Sequence, residues 1–100
     1  MATTSKVLAR TAAATSNTTL YTTPAATTTV VTNIVVANTA ASAATFDLSL
    51  DGVKIFKDAA LAANSTATFD LKQVLVATDL IEGLASATTV NFHISGVEIA

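Results

Sequence analysis

Thr27–Asn38, TTTVVTNIVVAN, decides how this chain is read. Five β-branched aliphatic residues, Val30, Val31, Ile34, Val35 and Val36, are set among four threonines. Branching at Cβ narrows side-chain freedom in a helix and suits the pleated surface of a sheet. Apolar residues fall in both alternating registers, so each face of the strand has something to bury. That pattern predicts a central strand, with a layer on one side and an arm, loop or neighbouring subunit on the other.

The same alternation recurs on both sides of this stretch. Thr18–Thr22 reads as a strand that Pro24 ends, because proline cannot donate to a ladder and holds Thr23 extended; a turn is expected over Thr23–Ala26. Ala44–Leu50 places Phe46, Leu48 and Leu50 on one face and Thr45, Asp47 and Ser49 on the other. Asp51-Gly52 then predicts a tight turn into a short return strand, VKIF. Lys57–Leu61 reads as one helical turn. Ala67, Phe69 and Leu71 alternate with polar neighbours in an edge-like strand, and a strand is preferred to a helix from Leu80 because Gly83 would cut a helix short. In Thr88–Ile99, Val90, Phe92 and Ile94 share a face. Val97 and Ile99 have the wrong parity to join them, and a β-bulge at Ser95-Gly96 is expected to restore it. Lys6–Arg10 is a short first strand, and residues 1–5 are expected to form a flexible arm preceding a single domain over 6–100. The fold class is therefore all-β: an antiparallel β-sandwich, jelly-roll-like, of seven or eight short strands.

Composition narrows the function. Of the 100 residues, 51% are hydrophobic and 12% charged, against about 25% charged in an ordinary soluble domain. Ala and Thr number 21 and 19, so the polar surface is built largely from hydroxyls instead of charge. Such a surface suits subunits held against one another in a repeated assembly. A net charge of −2 with scattered basic residues gives no electrostatic footprint for direct nucleic-acid binding. No apolar run is long enough to span a membrane as a helix, and the first fifteen residues lack the continuous apolar segment of a signal peptide. Absence of cysteine removes disulfides, thiolate chemistry and Cys metal sites.

No catalytic, cofactor or metal residue is assigned. His93 is the sole histidine and sits between Phe92 and Ile94 without a metal-binding spacing. Asp79 and Glu82 are the best-placed pair of carboxylates, yet two acids near a turn are usually a solvated surface. No GxSxG motif or glycine-rich phosphate loop is present. A carbohydrate site would want an aromatic platform, and the chain has no Trp and one Tyr.

Several stretches together resemble a group of small bacteriophage virion proteins. They are LYTTPA (20–25), TVVTNIVVANT (29–39), Ala44–Leu50 and TVNFHISGVEI (89–99). The resemblance runs from Lys6 nearly to the C-terminus. It implies a non-enzymatic particle component on the capsid exterior, assembled in the host cytoplasm. The first expectation is a decoration (cement) protein that bridges capsomers. Its expected partner is the major capsid protein, and a homo-oligomer is expected, with a trimer by analogy. A tail, neck or fibre-associated role is the second reading, and a carbohydrate-binding module the remote third. Candidate interface residues are Lys6, Val7, Leu8, Arg10, Tyr21, Val31, Val35 and His93. Where these proteins often carry Ala-Gly after the proline, this chain has Ala25-Ala26.

Overall fold

The structure, a computed structural model, describes residues 2–100. Eight strands follow one another: β1 (Thr3–Ala12), β2 (Thr18–Thr22), β3 (Thr28–Asn38), β4 (Ala44–Leu50), β5 (Val53–Leu61), β6 (Ser65–Leu75), β7 (Leu80–Ala85) and β8 (Val90–Ile99). They form two separate four-stranded sheets, ordered β1-β8-β3-β6 and β2-β7-β4-β5, with every pairing antiparallel. Most connections cross from one sheet to the other, and only β4–β5 is a hairpin within a sheet. This is a jelly roll, an open two-sheet sandwich and not a closed barrel.

β3 is flanked by β8 and β6, as its composition predicts. Its inward side chains Val31, Ile34 and Val36 are completely or almost completely buried. Outward Val30 and Val35 are half-buried. All four phenylalanines meet between the sheets: Phe46 of β4 and Phe56 of β5 from one, Phe69 of β6 and Phe92 of β8 from the other. Ring centroids lie 4.5 Å apart for Phe56–Phe69, 5.4 Å for Phe46–Phe56 and 6.2 Å for Phe46–Phe92. These are the tilted and edge-on contacts that aromatic quadrupoles prefer. The phenylalanine parity read from the sequence thus gathers at the centre of the core.

Turn chemistry follows local residue type. Asp51 and Gly52 both adopt positive φ, 51° and 80°, which suits the two-residue hairpin between Leu50 and Val53. After Pro24 the left-handed position is taken by Ala26 at φ 56°, without the glycine that would be easier there. Asn38 closes β3: its Nδ2 donates to the Ser42 carbonyl at 2.9 Å and its Oδ1 accepts from the Ala40 amide at 3.1 Å.

Four local expectations need correction. Lys57–Leu61 is not a helical turn; it continues β5 and its residues pair with β4. A bulge sets Lys57 and Asp58 against the single residue Asp47, with Asp58 at φ 48°. The first strand is longer than expected. Thr3–Ser5, read as part of a flexible arm, pair with Ile99, Glu98 and Val97, and Ala2 exchanges backbone hydrogen bonds with Ala100. Met1 of that arm lies outside the described residues. β1 runs along the sheet edge beside β8, so it does not cover the outer face of β3.

The fourth correction concerns β8, which keeps its parity throughout. The bulges belong to its neighbours, between Val7 and Ala9 in β1 and between Val31 and Asn33 in β3. Gly96 explains why both strands can come so close. A Cβ at that position would lie 2.3 Å from the Val30 carbonyl oxygen and 2.9 Å from Leu8 Cδ1. With parity kept, Val97 and Ile99 stay on the outer face and Glu98 turns inward.

Candidate functional site

Inward-facing Glu98 organises the polar cluster at one end of the sandwich. The Tyr21 hydroxyl, carried by β2 in the opposite sheet, donates to Glu98 Oε2. With that proton committed, Thr29 of β3 donates to the Tyr21 oxygen at 2.9 Å. Lys6 of β1 reaches both Glu98 oxygens at 3.3 Å. Four strands from both sheets are thereby tied through one carboxylate, whose side chain is 14% exposed. The Tyr21 hydrogen bond, followed by the Lys6 ammonium, holds the Glu98 carboxyl below its ordinary range despite desolvation. Burial, reinforced by the neighbouring carboxylate, pushes the Tyr21 phenol up. At neutral pH, an ionised carboxylate beside a neutral phenol is a structural clamp. It offers no free base.

A second carboxylate is occupied in the same way. Asp47 on β4 is buried; it accepts the Asp58 amide at 2.8 Å and the Lys54 ammonium at 2.9 Å, with Lys57 at 3.8 Å. The amide hydrogen bond and then Lys54 depress its pKa. Its role is to satisfy the β5 bulge. Asp79 accepts the Val76 amide at 3.0 Å within the β6–β7 turn, while Glu82 accepts from Asn17 at 3.2 Å. Each acid is held by a different local partner. His93 faces outward, whereas Glu98 faces inward, so the two cannot share an ion. Among the described residues no group of three or more His, Asp or Glu is placed to hold a metal, and no helix is long and apolar enough to cross a membrane.

What remains is surface. Of the candidate interface residues, Val7, Arg10, Val35 and His93 share the outer face of the β1-β8-β3-β6 sheet: Arg10 pairs with His93, and His93 with Val35. Lys6 and Tyr21 are drawn into the Glu98 cluster. Leu8 and Val31 lie in the core and cannot meet a partner, because the bulges beside β8 turn both inward. Hydrophobic periodicity alone did not reveal Glu98. The usable signal was its even parity with Phe92 and Ile94, once no bulge is inserted in β8.

The backbone arrangement is similar to that of solved capsid structures. A chain of the T13 IBDV viral particle, an icosahedral virus, superposes with a TM-score of 0.58 at 11% identity, over 97% of this chain and 30% of that one. This chain therefore spans less than a third of the length of the viral chain it matches. Two structures of a pentameric capsid protein isolated from metagenomic phage sequences match less well. Their TM-scores are 0.44 and 0.41 at 20% and 21% identity, over 92% of this chain and 59% and 60% of theirs. No family model matches the sequence, and no curated protein does. At these identities the likeness establishes the jelly-roll fold. A trimer on a major capsid protein is expected from the sequence, whereas the phage capsid protein of those two structures is pentameric.

Proposed function

We propose that this chain is a non-enzymatic structural protein of a virus particle, in the bacteriophage class. More specifically, it acts on the capsid exterior as a decoration protein that bridges neighbouring shell subunits. The observation carrying this reading is the eight-stranded jelly roll, which extends over nearly the whole chain and matches a chain of an icosahedral particle. Two further features support it. Every buried carboxylate is used for structure, and the surface is rich in Thr and Ala but poor in charge. Repeated occupancy of equivalent positions would multiply a modest affinity per site. The Asp51–Ala63 region supports an accessory role over a receptor-binding tip, since nearly all of it is consumed by β5.

Counting copies in purified particles tests the proposal. A decoration protein approaches the number of shell subunits, and density for it lies on the outside of the head in a particle reconstruction. A few to a few dozen copies at the tail or neck would replace this reading with the tail-associated one. Absence from purified particles would end both.

A further inference from the structure

The outer face of the β1-β8-β3-β6 sheet has no layer over it among the described residues, yet its pattern is specific. Val97, Val30 and Val74 lie directly opposite one another on β8, β3 and β6, forming one cross-strand apolar row. All three point outward, since each adjoins a buried residue: Gly96, Val31 and Leu75. Val74, at the sheet edge, is 61% exposed. Two exposed charges of opposite sign stand on opposite edges of the sheet, both to the same side of the row along the strands. Arg10 on β1 has no acidic partner among the described residues, and Asp70 on β6 has only a 3.4 Å contact from Asn33.

We propose that this face is a two-fold interface between two copies of this chain. A two-fold axis lying in the interface, parallel to the strands and between β8 and β3, sets β1 of one copy over β6 of the other. Val97 then meets Val30 of the second copy in both directions. Register places Arg10 opposite His93, His93 opposite Val35 and Val35 opposite Thr68. Arg10 therefore comes over Thr68 of the second copy, two residues from Asp70 on the same outer face. The arginine–aspartate pair forms twice by symmetry, and Lys72 lies beyond Asp70 from that arginine. Four strands spaced about 4.8 Å apart and roughly ten residues long present about 600 Å² per copy. The pair would bury about 1,200 Å², the lower end of specific interfaces. Aligned face-to-face packing of twisted sheets accommodates this geometry. The inference concerns self-association alone and stands independently of the viral reading.

Sedimentation of the full chain from about 10 μM to about 1 mM, the range suited to an interface of this size, tests it. A reversible dimer is expected. Val74→Glu, at a position exposed enough to spare the fold, should weaken it at least about tenfold. Arg10→Asp and Asp70→Arg should each weaken it about tenfold, and the double charge swap should restore it to within about threefold. Circular-dichroism melts confirm that each variant is folded. A wild-type monomer throughout the range overturns the proposal. So does a different oligomer indifferent to Val74→Glu, or a double swap that fails to recover association.

Discussion

The Tyr21 hydroxyl of one sheet donates to the Glu98 carboxylate of the other, closing the end of the sandwich with a polar bond where the pattern of apolar residues runs out. Thr29 and Lys6 complete the cluster. An inward glutamate is tolerable only because Tyr21 and Lys6 reach it from two other strands, with Thr29 of a third holding the tyrosine.

Removing the hydroxyl tests that dependence. Tyr21→Phe keeps the ring and should cost about 1 kcal/mol in chemical denaturation. The pH profile should change as well. The Glu98 pKa is depressed in the fold, so its contribution is present above the ordinary carboxylate value and is lost as pH falls through the lower folded value. Tyr21 is shifted up, and its contribution is lost at the opposite end, as pH rises above its ordinary value of 10.0. Tyr21→Phe should flatten both limbs. Identical acid and alkaline profiles for the two proteins would show that the clamp contributes nothing.

Asp47 makes a separate prediction because it serves a bulge. Asp47→Ala leaves the Asp58 amide and the Lys54 ammonium without their acceptor, and should destabilise by about 2 kcal/mol. The depressed Asp47 pKa means that this contribution, too, is lost as pH falls through its folded value. Hydrogen exchange should accelerate first at β5 amides around the bulge, with β3 and β8 little changed.

Gly96→Ala should be among the most damaging single substitutions in the chain. The added methyl would collide with the Val30 carbonyl, which is backbone and cannot rotate away. A loss above about 3 kcal/mol, or failure to fold, is expected. Gly52→Ala is the informative contrast. Nothing lies within 4 Å of its would-be Cβ, so only the cost of positive φ remains, about 1 kcal/mol. Thermal melts that rank the two substitutions equally would contradict this account of β8.

Thr23 offers a gain. Its hydroxyl is buried without a hydrogen-bond partner among the described residues, while its amide donates to the Asp79 carbonyl and its carbonyl accepts from the Thr78 amide. Thr23→Val keeps the shape and the backbone bonds and deletes the unsatisfied group. Stability should rise by about 1 kcal/mol in denaturant titration.

Much of this architecture was legible in the residues themselves. Thr18–Thr22 and Ala44–Leu50 were bounded by local chemistry, a proline in one case and an Asp-Gly turn in the other, and both strands have those limits. The β-branched run ending at Asn38 marked the central strand, and alternating phenylalanines marked the inner face. These features follow from a two-residue side-chain period and from turn residues acting within a few positions. Tertiary structure alone decided what depends on distant partners. Lys57–Leu61 is extended because Asp47 supplies the acceptor that stabilises its bulge. Thr3–Ser5 are ordered because the last strand lies beside them. Val97 and Ile99 face outward because β1 and β3, and not β8, absorb the extra residue around Gly96. Glu98 is held inward by a tyrosine 77 positions away. Parity within a strand is a local property; which strand bulges, and what waits across the gap, is settled only when the sheets meet.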